Sequence, residues 1–373
     1  MPIVSPTSIY IHVPFCQKIC TFCDFKRTIY NPSLTNAWLN QLANEINYYA
    51  YEIEAKYLKS IYIGGGTPSC LNEGEWNQLI TLIKPWLHQA VEVTMEVNPE
   101  DINDFNLDLW KTSGINRLSV GVESFNDCQL NQMNRSNKVM DLNNLMQMIQ
   151  HHGFTNISFD IMYGLPNQSL EDYQTTLQQL IALNPKHISA YCLTVEENSV
   201  WGKQGIKEVD DDLAGQMMEL TTQLLKDANY HRYEVSNYSL PGYESIHNQT
   251  YWHYDNFVGF GYGASGKSNH IRYDHRNNLM QYLANDGFKR CYIHESKQDV
   301  FEDFLMMNLR LKQPLSFALI NSMCGYDFYQ SKYNALQLCQ NKGYLTFNNQ
   351  SLSMNDYGLD CLLDALAILL VEE

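Results

Sequence analysis

Three cysteines, Cys16, Cys20 and Cys23, stand in a Cys-x-x-x-Cys-x-x-Cys spacing. They follow an alternating apolar run, Ile9, Ile11 and Val13, that stops at Pro14, the pattern of a strand opening into a thiolate loop. So short a loop can turn three sulfurs toward one point. That suits three corners of a cubic iron–sulfur cluster and leaves its fourth iron without a protein ligand. Structural zinc takes four ligands, and neither a fourth cysteine nor a clustered histidine follows before Cys70, so a catalytic zinc on three thiolates stands as the alternative. Three unrelated core thiols would have no reason to share one loop at ligand spacing.

With Tyr10 ahead of it and Phe22 between the last two cysteines, this spacing resembles the signature of the radical S-adenosylmethionine (SAM) superfamily. Tyr10, Cys16, Cys20 and Cys23 each fall on a motif position. The resemblance implies a [4Fe-4S] cluster whose open iron is chelated by the amino and carboxylate groups of SAM. It also implies that an electron from the cluster can cleave the sulfonium to a 5′-deoxyadenosyl radical.

The elements that must position this loop are periodic. After Pro32 and Ser33, the spacing of Trp38, Leu39, Leu42, Ile46 and Tyr49 predicts a helix. A buried strand over Leu58 to Ile63 ends at Gly64, Gly65, Gly66, Thr67 and Pro68. Further strands are expected near 91–97, 116–122, 156–163 and 187–193, with helices near 74–87, 101–112, 138–152 and 169–183. Six strands with crossover helices predict an α/β fold with a parallel sheet, too short for a closed eight-fold barrel and suited to a partial (β/α)6 barrel, the shape the family also implies. Ligands then gather at the carboxyl ends of the strands, where the sharp motifs fall.

The glycine run would by itself be a tight strand exit that lets backbone approach a ligand. One strand unit after the cysteine loop, it resembles the segment that holds the SAM amino group, which carries Gly65, Gly66 and Thr67 over. Glu96 stands on an otherwise apolar strand, where a carboxylate needs a partner: a core salt bridge, or, by the resemblance, the polar end of SAM. Arg135 matches a family arginine that would pair with the SAM carboxylate, a natural use of a forked donor. Asp160, on the fifth strand, matches the ribose-contacting aspartate. The chain departs from its relatives at Glu123, where they carry glutamine, and at Asn134 and Asn137, where a glycine and a histidine are expected.

The chain has 373 residues, 45% of them hydrophobic, enough for a large domain and a smaller one. A formal net charge of −16 argues against a nucleic-acid partner. The start of the sequence lacks a charged and apolar leader pattern, no apolar run has spanning length, and seven of ten cysteines are scattered, so a reducing cytoplasm is expected. A helix led by Asp210 is expected to run to Asn229. Beyond about 298, helical segments and a hairpin over 344–354 predict a mostly helical, winged-helix-like tail. The expected division is 1–235 for the cluster-bearing barrel, 236–297 for a linking region, and 298–373 for the tail.

In the linking region, His247-Asn248-Gln249-Thr250-Tyr251-Trp252 precedes the glycine-rich run Gly259 to Ala264. The combination resembles the HemW-type haem chaperones, which are related to the oxygen-independent coproporphyrinogen III oxidases. Histidine nitrogen is a common haem ligand, and Tyr251 and Trp252 offer flat apolar faces to a porphyrin. His247 is thus the candidate ligand, with His253 a near neighbour, although a lone loop histidine is more often a hydrogen-bonding group. Oxidases carry a fourth cysteine where this chain has Asp24-Phe25, and they extend further upstream. Both differences favour a haem carrier without catalytic residues over a radical enzyme acting on a tetrapyrrole. The resemblance implies haem, a haem-acceptor protein, a flavodoxin or NADH-linked reductant, and peripheral contact with membrane-bound acceptors.

Overall fold

The computed structural model describes residues 5–135, 142–275 and 278–371 of the chain. Six parallel strands are neighbours in chain order: β1 (Ser8–Val13), β2 (Ser60–Gly65), β3 (Glu92–Val97), β4 (Arg117–Glu123), β5 (Asn156–Tyr163) and β6 (His187–Cys192). Both faces of such a sheet are covered, which is why its strands read as nearly continuous apolar runs. Ile9, Ile11, Val13, Ile61, Ile63 and Met95 are fully buried.

The crossover helices are those the apolar spacing predicts: Pro32–Tyr49, Glu73–Leu87, Asp104–Thr112, Leu142–His151 and Leu170–Ala182. Residues 138–141 of the expected fourth helix, and with them Asn137, lie outside the described residues. Local chemistry fixes where helices begin. Asn31 accepts from the N–H groups of Ser33 and Leu34, while Asn72 with Glu75 and Ser169 with Asp172 form capping boxes.

At 236–297 the structure holds more than a linker. β7 (His231–Arg232) and β8 (Asn237–Ser239) add antiparallel strands beside β6. β9 (Phe257–Phe260) pairs in parallel with the other edge of β1. β10 (Ser265–Ser268), β11 (Ile271–Asp274) and β12 (Cys291–His294) continue from it antiparallel, so the sheet has twelve strands. These strands are only two to four residues long, too short to show a period. Gly266 is needed for close packing, because a Cβ there would sit 2.2 Å from the Tyr273 ring.

The C-terminal unit packs helices Lys297–Asn308, Phe317–Cys324, Tyr333–Asn341 and Leu362–Leu370 with three short antiparallel strands. Its core of Phe301, Phe304, Leu336 and Leu366 takes in Tyr254 from the sheet unit. A buried ion pair, Arg232 to Asp360 at 2.6 Å, also ties the two units. Among the described residues, no helix is long and apolar enough to cross a membrane.

Trp38 is fully buried and meets Phe15, the residue before Cys16, edge-on at 5.7 Å. Trp38→Ala is therefore expected to cost about 3–5 kcal/mol in urea unfolding of the cofactor-free chain. An unchanged midpoint would contradict this packing.

Candidate functional site

The cysteine loop is closed at its base, where Phe15–Cys16 pairs in parallel with Thr28–Ile29. Inside it the Cys23 N–H donates to the Cys20 carbonyl at 3.3 Å, and Arg27 donates to the carbonyls of Phe25, at 2.8 Å, and Cys23. Asn134 crosses from the barrel to donate to the Ile19 carbonyl at 2.9 Å. It does so at φ +58°, a conformation asparagine tolerates where glycine is expected.

Burial pushes all three thiols up, Cys23 to about 11. Arg135 draws Cys16 and Cys20 back, and Arg27 draws Cys16 and Cys23 back. Buried thiols facing cations are suited to becoming thiolates once a metal group compensates them. Among the described residues no three His, Cys, Asp or Glu side chains meet at the distance of a single ion. All three cysteines nevertheless line one cavity of about 520 Å³. Three thiols facing one cavity are a donor set that fits three corners of a cubane.

Strand ends form the rest of this cavity. Gly66 must be glycine, because a Cβ would lie 2.7 Å from the Phe15 carbonyl, and Gly65 has φ +115°. The Thr67 N–H donates to the same carbonyl at 2.7 Å, fastening the glycine turn to the base of the cysteine loop. Glu96 accepts from the Gly65 N–H and the Tyr62 hydroxyl, each at 2.9 Å. Asp160 accepts from Ser119 at 2.8 Å and Ser158 at 3.1 Å.

Arg135 donates to Asn98 at 3.0 Å, to the Gly121 carbonyl and to Glu123 at 3.2 Å, and it approaches the Cys20 sulfur at 3.7 Å. Glu123 thus gives the guanidinium an internal counter-ion that the usual glutamine would lack. It sits at φ +66° beside a register shift in β4, so the bulge turns its side chain onto Arg135.

A second cavity, of about 590 Å³, shares Asp24, Phe25, Gly65 and Glu96 with the first. Tyr10, Tyr251 and Trp252 line it. The sextet forms the helix Ile246–Trp252, held from below by Glu92, which accepts from the N–H groups of Ile246 at 3.1 Å and His247 at 3.0 Å.

His247 stands behind Tyr251, only 1% exposed. Its Nδ1 hydrogen-bonds Ser60 at 2.9 Å, its Nε2 the Tyr251 hydroxyl at 2.8 Å, and its ring stacks on Tyr62 at 4.9 Å. Burial, aided by Arg117, drives it down to about 3, so the imidazole is neutral with both nitrogens engaged. In this arrangement His247 orients Tyr251. His253 lies outside, half-buried beside Gln313. The sequence reading did not single out Lys267, Arg272 and Met307 on this cavity, nor Glu92 beneath the helix.

Residues 10–180 match the radical SAM superfamily, and residues 296–360 match the HemN C-terminal domain. The heme chaperone HemW of Lactococcus lactis is 31% identical over 363 residues, 95% of each chain. That of Haemophilus influenzae is 30% identical over 389 residues, 100% of each. The chain belongs to the HemW family, within the radical SAM superfamily. The HemW of Escherichia coli is 36% identical over 269 residues, 70% of each chain. Coproporphyrinogen III oxidase (HemN) of Escherichia coli, a radical SAM enzyme, has the same fold at a TM-score of 0.84, covering 98% of this chain and 90% of that one at 22% identity.

Burial raises the Glu96 carboxyl from 4.5 to about 7, against the pull of the Gly65 N–H and the Tyr62 hydroxyl. An acid whose pKa is higher folded than unfolded binds more protons when folded. Its stabilising contribution is whole below 4.5 and is lost as pH rises through about 7. Glu96→Gln is therefore expected to reduce the fall in urea midpoint of the cofactor-free chain across that window. Equal slopes in the two proteins would contradict a buried Glu96 carboxyl.

Proposed function

We propose that this chain is a haem chaperone that binds haem in the cavity lined by Tyr251 and Trp252 and hands it to an acceptor protein. A [4Fe-4S] cluster on Cys16, Cys20 and Cys23, with exchangeable SAM, occupies the adjoining cavity. One observation carries this reading: the two cavities share a wall of Asp24, Phe25, Gly65 and Glu96. The heme-chaperone names of relatives that match nearly the whole chain support it. Residues 1–235 then form the cluster-bearing unit, 236–297 the haem-binding region built onto its sheet, and 298–373 the C-terminal unit.

Each residue has a task in this reading. Gly65, Gly66 and Thr67 offer backbone to the amino end of SAM, and Glu96 offers its carboxylate. Arg135 receives the SAM carboxylate, which must compete with Glu123 for the guanidinium. Asp160 holds the ribose, and Tyr10 closes the wall beside His12, to which its hydroxyl hydrogen-bonds at 3.1 Å. Cys16, Cys20 and Cys23 would hold the cluster, which when bound could be reduced by a flavodoxin or NADH-linked donor. Tyr251 and Trp252 give the porphyrin apolar faces, and His247 acts through Tyr251.

The shared wall favours one second reading, a radical SAM enzyme acting on a tetrapyrrole. An anaerobic haem titration of the reconstituted protein, followed through the Soret band, separates the two. Saturation at about one haem per chain without release of 5′-deoxyadenosine is expected. Trp252→Ala should weaken the affinity by about tenfold, or about 1.4 kcal/mol. His247→Ala should lower affinity while leaving the ligation spectrum of the bound haem unchanged. Loss of that spectrum would make His247 the direct ligand. No saturable binding, with haem-dependent 5′-deoxyadenosine release, would move the assignment to the enzyme.

A further inference from the structure

The cavity beside Tyr251 and Trp252 carries a buried cation that has no ion pair among the described residues. Lys267 lies in β10, directly opposite Phe257 of β9 on one side and Arg272 of β11 on the other. Cross-strand partners share a face of the sheet, so an aromatic ring and two cations stand in one row, and all three line the cavity. The two cations are not equivalent. Arg272 is paired with Glu295 at 2.5 Å and with Asp303.

Lys267 is only 4% exposed and, among the described residues, has no ion pair. Its ammonium donates once, to the Tyr254 carbonyl at 2.9 Å, and rests 3.7 Å from the centre of the Tyr254 ring. An ammonium has three donors, so two remain for a ligand or water. A buried charge without a counter-ion is costly, and such lysines lose basicity. Burial, with Arg272 adding to it, draws Lys267 down to about 8 against the pull of Glu295, Asp255 and Asp303, none of which reaches it as an ion pair.

Its neighbours are also donors without acceptors. The Trp252 indole N–H is buried and, among the described residues, without an acceptor, and the Tyr254 hydroxyl faces the Arg272 guanidinium, which leaves its own proton to donate. Arg272 beside Tyr254 can only donate. None of the acidic side chains on the cavity pairs with Lys267. Asp255 pairs with Lys59 at 3.3 Å, Glu96 is taken by Gly65 and Tyr62, and Asp24 is exposed to water. An aromatic wall with surplus buried donors is complementary to a flat apolar ligand that carries a carboxylate.

We infer that Lys267 is the carboxylate-recognising residue of this cavity, pairing with a propionate of the bound tetrapyrrole and fixing which edge of the ring enters. The inference rests on the haem reading above and adds to it a specificity for the free acid.

The test compares haem with haem dimethyl ester, whose propionates are blocked, in anaerobic Soret titrations of the reconstituted protein and of Lys267→Met and Lys267→Arg. The unaltered chain is expected to bind the free acid about tenfold or more tightly than the ester. Lys267→Met should lose that preference while binding the ester as before, and Lys267→Arg should keep it. Equal affinity for acid and ester in the unaltered chain overturns the inference while leaving haem binding intact. So does a preference that survives in Lys267→Met. Binding of neither ligand to the unaltered chain overturns the haem reading itself. The comparison within the unaltered chain does not depend on any variant folding.

Discussion

The Glu96 carboxylate, half-buried near the end of β3, is the contact on which the site depends. One oxygen takes the Gly65 N–H and the other the Tyr62 hydroxyl, so it fastens the glycine turn to the sheet. It also faces both cavities. A charged group there is tolerated only with such partners, and burial still moves it toward neutrality. Whatever occupies one cavity changes the electrostatic surroundings of a wall that the other shares.

That adjacency arises from strand order. β1, which leads into the cysteine loop, pairs with β2 on one edge and with β9 on the other. Residues 246–252 come just before β9 and are pinned by Glu92 at the start of β3. Two motifs far apart in sequence are thereby carried by the same few central strands. Buried hydrogen bonds keep them in register: Ser8 bonds both Ser60 and Thr250, and Ser60 bonds His247. A polar network satisfied in this way specifies one arrangement of the sextet helix over the barrel.

Much of this was legible in the sequence because it depends on period and local spacing. The helix at Pro32–Tyr49 and the strand ending in Gly65 follow from repeating apolar positions, and the cysteine loop from ligand spacing. What depends on long-range partners was not legible. β9 to β12 are too short to show alternation, and only pairing with β1 makes them a sheet. The role of His247 turned on which side of Tyr251 it occupies, and a motif string has no sides. Glu123 was visible as an oddity, but its ion pair with Arg135 follows from a bulge that brings the two together. The burial of Lys267 depends on its pairing with Phe257 and Arg272, which the sequence does not show.

The central claim is that haem and cluster occupy adjoining cavities separated by Glu96. The measurement that tests it most directly is anomalous iron scattering from crystals of the reconstituted, haem-loaded protein. The account predicts two iron centres, one at Cys16, Cys20 and Cys23, the other in the cavity walled by Trp252 and Lys267. Haem iron found on the outer surface, beside His253 or elsewhere, with the second cavity empty, would contradict it.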